Sequence, residues 1–310
     1  MKLTVGSRGS NLALAQTDEV IKKLKKTYPE VNIDLKKIKT TGDKILDTTL
    51  HEIGGKALFV KELEKALVDG EIDFAVHSMK DVPGELYDEF DIFTVLKRSE
   101  PRDVLISKNN YTLDTLPEGS VVATSSLRRK AQLLAYRNDL EIVPIRGNIN
   151  TRIKKFSESS DIDAIILAKA GIDRLGLSVE ISQVITTDII VPCVGQGALG
   201  IEVLKTNTEL KEKLKSIQDE KVKNCVLAER AFLKKLGGSC YVPVGAYANY
   251  INEDEITITG VVAGLSGEKV LRKTMTDSYE KAYELGQNLA ADLLDKGADD
   301  ILAEIEGEVD

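Results

Sequence analysis

Short apolar runs alternate with longer stretches whose apolar residues recur every three or four positions, and this pattern covers the first two-thirds of the chain. No other sequence feature constrains the fold as strongly, and it predicts α/β architecture. Residues 2–5 read as a strand. Ser10 is placed to cap a helix whose apolar face runs through Leu14, Ile21 and Leu24 and stops before Pro29. Val31, Ile33 and Leu35 alternate as a second strand. Phe59, Leu63 and Leu67 line a helix over 58–68, and 72–76 and 92–96 have the unbroken apolar character of buried strands. A polar link at 97–102 opens a second set, with strands at 104–106, 121–123, 142–145 and 164–167 and helices starting near Ser126, Asn150 and Lys169. An irregular stretch at 191–197 then leads to a strand at 199–203. The chain is therefore expected to cross back into its first unit. A helix at 222–236 opens a small α+β region that has strands near Ile256 and Ile258 and at 261–263, and that closes with a helix over 279–294. The expected domains are 1–98 with 195–217, then 99–194, then 218–310. Residues 40–56 hold three glycines and no clear period, and 42–56 are expected to form a lid over a site between the first two domains.

Composition excludes several classes of function. A chain of 310 residues with 42% hydrophobic and 30% charged residues has enough apolar content for two or three folded domains and is not a disordered chain. No apolar run approaches the roughly 18 residues that a bilayer span needs, and residues 1–6 lead into a strand without the apolar core of a signal peptide. Three cysteines with no CxxC pair, and two histidines, predict neither a disulfide framework nor a metal site. The net charge of −8 argues against a general nucleic-acid binder. A cytoplasmic protein with no membrane, metal or nucleic-acid partner is expected.

Charge is unevenly distributed. Of eleven arginines, five (Arg128, Arg129, Arg137, Arg146 and Arg152) fall within 25 residues. Guanidinium forks match carboxylates and phosphates, so this cluster points to a small, multiply anionic ligand, or else to a solvated basic face. Thr124-Ser125-Ser126-Leu127-Arg128-Arg129 and Arg146-Gly147-Asn148-Ile149-Asn150-Thr151-Arg152 share one form, a strand end followed by a turn, a helix start and flanking arginines. Two such turns favour anion binding. His77-Ser78-Met79-Lys80-Asp81-Val82-Pro83 follows a strand, where open α/β sheets place ligand sites. Asp81 there is either a charge-stabilising carboxylate or a helix cap, with Lys80 in water. Cys240 lies in the glycine-rich turn Gly237-Gly238-Ser239-Cys240 with no histidine partner in the sequence, so it is either an attachment point or a structural thiol. Cys193 and Cys225 are expected to sit inert in apolar surroundings.

Taken in order, these segments resemble the hydroxymethylbilane synthase family, also called porphobilinogen deaminases. The resemblance runs nearly end to end. It includes Gly6-Ser7-Arg8-Gly9-Ser10 with Leu14-Ala15-Gln16, Gly54-Gly55-Lys56 with Phe59-Val60-Lys61-Glu62-Leu63, His77 to Pro83, and both arginine turns. It continues through Arg174-Leu175, Gly195-Gln196-Gly197, and Glu229-Arg230 ahead of Gly238-Ser239-Cys240. Ser239 stands where many members have a second glycine. The resemblance implies two periplasmic-binding-protein-like α/β domains plus a small C-terminal α+β domain. It also implies a monomeric transferase of tetrapyrrole (haem) biosynthesis. Four porphobilinogen molecules would be condensed head to tail, with loss of ammonia, and released by water as linear hydroxymethylbilane. A dipyrromethane cofactor would be attached to Cys240 through a thioether and held by Lys80, Ser126, Arg128, Arg129 and Arg146. Asp81 would be the catalytic carboxylate, and Arg8, Ser10, Lys56, Phe59, Arg146, Arg152, Arg174 and Gln196 would meet the substrate. Two alternatives remain at this level: a cytosolic two-lobed binding or sensor protein for a small polycarboxylate, and a cysteine-dependent transferase acting on another acid.

Overall fold

A computed structural model of the chain describes residues 2–44, 60–84, 87–237 and 242–307. The first segment runs β1 (Lys2–Arg8), α1 (Asn11–Thr27), β2 (Asn32–Ile38), a short α2 (Thr41–Lys44), α3 (Lys61–Val68), β3 (Phe74–Ser78) and β4 (Phe90–Val95). After the polar link come β5 (Asp103–Ser107), β6 (Val121–Ala123), α4 (Leu127–Tyr136), β7 (Glu141–Val143), α5 (Ile149–Glu158), β8 (Ala164–Ala168), α6 (Lys169–Arg174) and β9 (Gln183–Val184). β10 (Leu199–Leu204) and α7 (Thr208–Ile217) follow. The chain then continues through α8 (Glu220–Lys235), β11 (Val244–Tyr250), β12 (Glu255–Ala263), β13 (Val270–Ser278), α9 (Ala282–Leu294) and α10 (Ala298–Gly307). The helices α7 and α10 go beyond the sequence reading. The expected lid lies mostly outside the described residues.

Two five-stranded sheets share one topology. Their orders are β2-β1-β3-β10-β4 and β7-β6-β8-β5-β9. In each, the first three strands are parallel and the fourth is antiparallel to both neighbours. The antiparallel strand is the one reached by crossing from the other lobe: β5 after 97–102 and β10 after 191–197. The crossing strand thus ends up beside the third strand of its lobe. In the second sheet, Leu105, Val122 and Ile166 pack into one apolar layer, and Val104, Ala123 and Ile165 into the layer on the opposite face. Both faces are covered, which is why these strands read as unbroken apolar runs. The third unit is an antiparallel meander, β11-β12-β13. Its Ile256 and Ile258 share a core with Phe232 of α8 and Leu285 and Leu289 of α9.

The two crossings run side by side. Ser99 donates its N–H to the Gly197 carbonyl at 3.2 Å. Gly197 has φ +87°, and a Cβ there would stand 2.4 Å from the Ser99 oxygen, so both the backbone angle and the close approach require glycine. Glu229 of α8 fastens the pair to the third unit. Its fully buried carboxylate accepts from Arg98 Nη1 at 2.5 Å and Nη2 at 3.1 Å, from Gly195 N at 2.7 Å, and from Ala248 N at 2.8 Å. Arg98 also donates Nε to the Gln196 carbonyl at 2.8 Å, and its guanidinium lies 5.1 Å from the Tyr247 ring centroid. One carboxylate therefore ties together both crossings and the third unit.

Candidate functional site

The two lobes bring charged turns to one cleft, where Lys80 of the first lobe lies close enough to Arg129 and Asp103 of the second for their charges to act on one another. In the order β2-β1-β3, the chain leaves β1 toward one side and returns on the other, which opens a crevice at the ends of β1 and β3. Arg8 is the last residue of β1. After β3 a single 3₁₀ turn, Met79–Asp81, presents Lys80 and Asp81. Arg8 Nη1 stands 3.9 Å from Asp81 Oδ2, and the Asp81 side chain is about one-third exposed. Ser10 caps α1, accepting from Ala13 N at 3.2 Å, so its hydroxyl shapes the turn that carries Arg8.

The second sheet supplies the arginines through its capped turns. Ser126 caps α4, whose first turn carries Arg128 and Arg129. Asn148 caps α5, accepting from Thr151 N at 2.9 Å, and that helix carries Arg152. The structure shows what α4's arginines lean on. Arg128 Nη2 and Arg129 Nη2 each donate to Asp103 at 2.8 Å, and their Nη1 atoms donate to the carbonyls of Val191 and Ile166. Burial by itself would push the Asp103 carboxyl up. The two guanidiniums, with bonds from Arg129 and Gln196, instead hold it well below the usual carboxylate range. The sequence reading did not single out Asp103. A signal was there, because a carboxylate opening the wholly apolar run Val104-Leu105-Ile106 must find a partner inside.

Like charges crowd the cleft. Burial, together with Arg129 and Arg146, lowers the Arg152 guanidinium to about 10. Burial also lowers Lys80, with Arg129 acting in the same direction against Asp81 and Asp103, so cations of the two lobes are close enough to act on one another. Arg129 Nε is buried with no hydrogen-bond partner. Such an array is held together against its own repulsion, and anions in the cleft would relieve it.

Two of the expected substrate contacts make bonds at the two crossings. Gln196 is 1% exposed and donates Nε2 to the Pro101 carbonyl at 2.6 Å and to Asp103 at 2.9 Å. Arg174 pairs with Glu19 at 3.1 Å and donates Nη2 to the Gly197 carbonyl at 2.9 Å. Lys56, Phe59 and Cys240 lie outside the described residues. Cys193 lines a small cavity with Met79, Val82, Val194, Leu233 and Val244, and with Lys80 on one side. Burial raises its thiol pKa, and Arg128 and Lys80 oppose that shift, so it borders the cationic cleft. Cys225 is pushed up to about 12 by burial, with Glu229 adding to the effect.

Behind Asp81, the first lobe buries an ionisable cluster. His77 Nε2 and Glu202 Oε2 are 2.9 Å apart, both buried, and Glu202 Oε1 has no partner. Glu64 of α3 joins them. Burial first and Glu202 second push its carboxyl up to about 7, Glu89 adds to this, and His77 and Lys61 oppose it. Folding thus favours protonated Glu64. That contribution is complete below the unfolded value and is lost as pH rises through about 7. Glu64→Gln should therefore be about 3 kcal/mol more stable than the parent at pH 8, and only about 1 kcal/mol more stable at pH 5, by urea denaturation. An equal or lower stability of the variant at pH 8 would contradict the assignment.

Comparison with known proteins gives the family. Residues 3–212 match the family described as "Porphobilinogen deaminase, dipyromethane cofactor binding domain", and 223–295 match "Porphobilinogen deaminase, C-terminal domain". The chain is similar to the porphobilinogen deaminases of Natranaerobius thermophilus (51% identity, 98% of this chain and 99% of that one) and Brevibacillus brevis (50%, 98% and 97%). It belongs to the porphobilinogen deaminase family. Among solved structures, the periplasmic aliphatic sulphonate binding protein SsuA from Escherichia coli matches at TM-score 0.39 and 16% identity, over 76% of this chain and 70% of that one. A porphobilinogen deaminase is a transferase, and the cofactor of this family is dipyrromethane. Each of its two pyrrole rings carries two carboxylates. The crowded guanidiniums and the orphaned Arg129 Nε fit such a tetra-anion.

Proposed function

We propose that the cleft is the active site of a hydroxymethylbilane synthase that joins four porphobilinogen molecules head to tail and releases the linear product with water. The observation that carries this reading is the meeting of Lys80 and Asp81 from one lobe with the guanidinium bank of the other, in a chain about half identical to named porphobilinogen deaminases over nearly its whole length. Cys240 would carry dipyrromethane as a thioether, and the cofactor would supply the free pyrrole α-position for chain growth. Arg128, Arg129, Arg146 and Lys80 hold its carboxylates, and Arg8 and Arg152 those of the incoming ring. Asp103 keeps the forks of Arg128 and Arg129 in place, while Ser126, as the α4 cap, sets where that helix begins.

Asp81 acts on the incoming substrate. When the aminomethyl C–N bond of porphobilinogen breaks, ammonia leaves with the electron pair and the pyrrole becomes a cationic azafulvene. The Asp81 carboxylate lies beside that positive charge and stabilises it. The azafulvene's methylene carbon would then bond to the free α-carbon of the growing chain, and the α-proton displaced there would pass to solvent or to the released ammonia. Burial of the surrounding cations keeps their field strong where a solvated bank would be screened. The enzyme is read as a cytoplasmic monomer. Its domains are taken as 1–98 with 195–217, 99–194 and 218–310, a division supported by the return of β10 to the first sheet.

Incubation of the purified enzyme with porphobilinogen should release four ammonia molecules for each linear tetrapyrrole formed, and the product should cyclise on standing to uroporphyrinogen. Binding of porphobilinogen without ammonia release would favour the polycarboxylate-binding alternative.

A further inference from the structure

One face of α8 runs along the turn that carries Asp81. Val222 and Val226 of this helix pack in one apolar cluster with Met79 and Val82, which flank Lys80 and Asp81. One helical step further on the same face, Arg230 reaches the backbone just past Asp81. It donates Nη2 to the Pro83 carbonyl at 2.8 Å and to the Gly84 carbonyl at 3.4 Å, and Nη1 to the Val82 carbonyl at 3.4 Å. The spacing of 222, 226 and 230 follows the i, i+4 rule for one helix face.

The neighbouring Glu229 holds the other side of the turn. It accepts from Gly195 N at 2.7 Å, and Gly195 lies flat on the turn: a Cβ there would stand 2.7 Å from Met79 Cβ and 3.2 Å from Lys80 N. Consecutive residues of one helix thus grip the backbone before and after Asp81. The Asp81 side chain is partly exposed, and among the described residues its charge partners are Arg8 at 3.9 Å and the neighbouring Lys80.

We infer that Arg230 is a positioning residue for Asp81, setting the place of its carboxylate in the cleft through the carbonyls of Val82, Pro83 and Gly84. The inference rests on Asp81 being the reacting carboxylate. A guanidinium suits the task because its fork offers several donors at fixed angles to adjacent carbonyls, and an ammonium is a single point of attachment. Because α8 also packs on β11 of the third unit, the same helix would align the reacting carboxylate with that unit.

The test is a double-mutant cycle between Arg230→Gln and Asp81→Glu, which keeps the carboxylate but moves it by one methylene. In the parent, Arg230→Gln should lower kcat by about 30-fold with KM changed less than about twofold, and the intact mass should still show two pyrrole units. In the Asp81→Glu background, the same substitution should cost less than about threefold, because the carboxylate is already displaced. Arg230→Lys should give an intermediate kcat, and it replaces Arg230→Gln in the cycle if that variant does not fold. Equal losses in the two backgrounds, or parent-like kcat in Arg230→Gln, would overturn the role of Arg230 and leave the reading of Asp81 standing. Parent-like turnover in both Asp81→Glu and Asp81→Ala would overturn the reading of Asp81 and the proposal with it.

Discussion

Asp81→Ala is expected to remain folded and to lose more than about 100-fold in the rate of porphobilinogen consumption, at least about 3 kcal/mol of barrier. The two halves of this expectation have separate causes. The side chain is about one-third exposed and its ion partner, Arg8, is 3.9 Å away, so its removal should change stability by only about 0.5 kcal/mol. On the proposed mechanism, the loss in rate follows because a cation forms near guanidiniums that repel it and Asp81 is the carboxylate proposed to stabilise it. Single-turnover ammonia release and a denaturation curve on the same preparation separate the effects. A slow variant with a collapsed denaturation midpoint would assign Asp81 to structure instead.

Glu229→Ala is expected to have the largest effect on stability, a loss of about 3–5 kcal/mol. The carboxylate is fully buried, and its removal leaves the Arg98 guanidinium charged inside the protein and the Gly195 and Ala248 N–H groups without their acceptor. The damage should reach all three units at once, because the two crossings and the third unit meet at this residue. Adding Arg98→Met to Glu229→Ala should recover part of the loss, since a buried pair removed whole costs less than one partner left alone. A single variant with a midpoint unchanged in urea would show that the junction of the crossings and the third unit does not depend on the pair.

Much of the fold was legible from local patterns. Ser10 and Ser126 cap the helices expected of them, and the strands of both sheets follow the apolar runs. Other elements carried a signal that the reading passed over. Asn207 followed by Leu210, Leu214 and Ile217 is the cap and apolar face of α7. The two-residue strand β9 has no pattern of its own and exists through its pairing with β5.

The site was legible in a different way. Charge in capped turns is a local feature, which is why the arginine turns stand out in the sequence. Buried pairings that span long distances in sequence do not: Arg98 with Glu229 across 131 residues, and His77 with Glu202 across 125. Burial inverts the meaning of composition at these points. Arg128 and Arg129 read as solvated or ligand-facing charge, yet each is more than nine-tenths buried and is held by one carboxylate 25 or 26 residues upstream. Gln196 and Arg174, like Gly197, also bond the backbone of the two crossings.

Intact-protein mass spectrometry tests the central claim most directly. Protein from cells able to make porphobilinogen should carry a mass increase of two pyrrole units, absent from Cys240→Ala and retained in Cys193→Ala and Cys225→Ala. Brief exposure of the parent to porphobilinogen should add further units one at a time, up to four. An unmodified parent mass, or an adduct that survives in Cys240→Ala, would contradict the account.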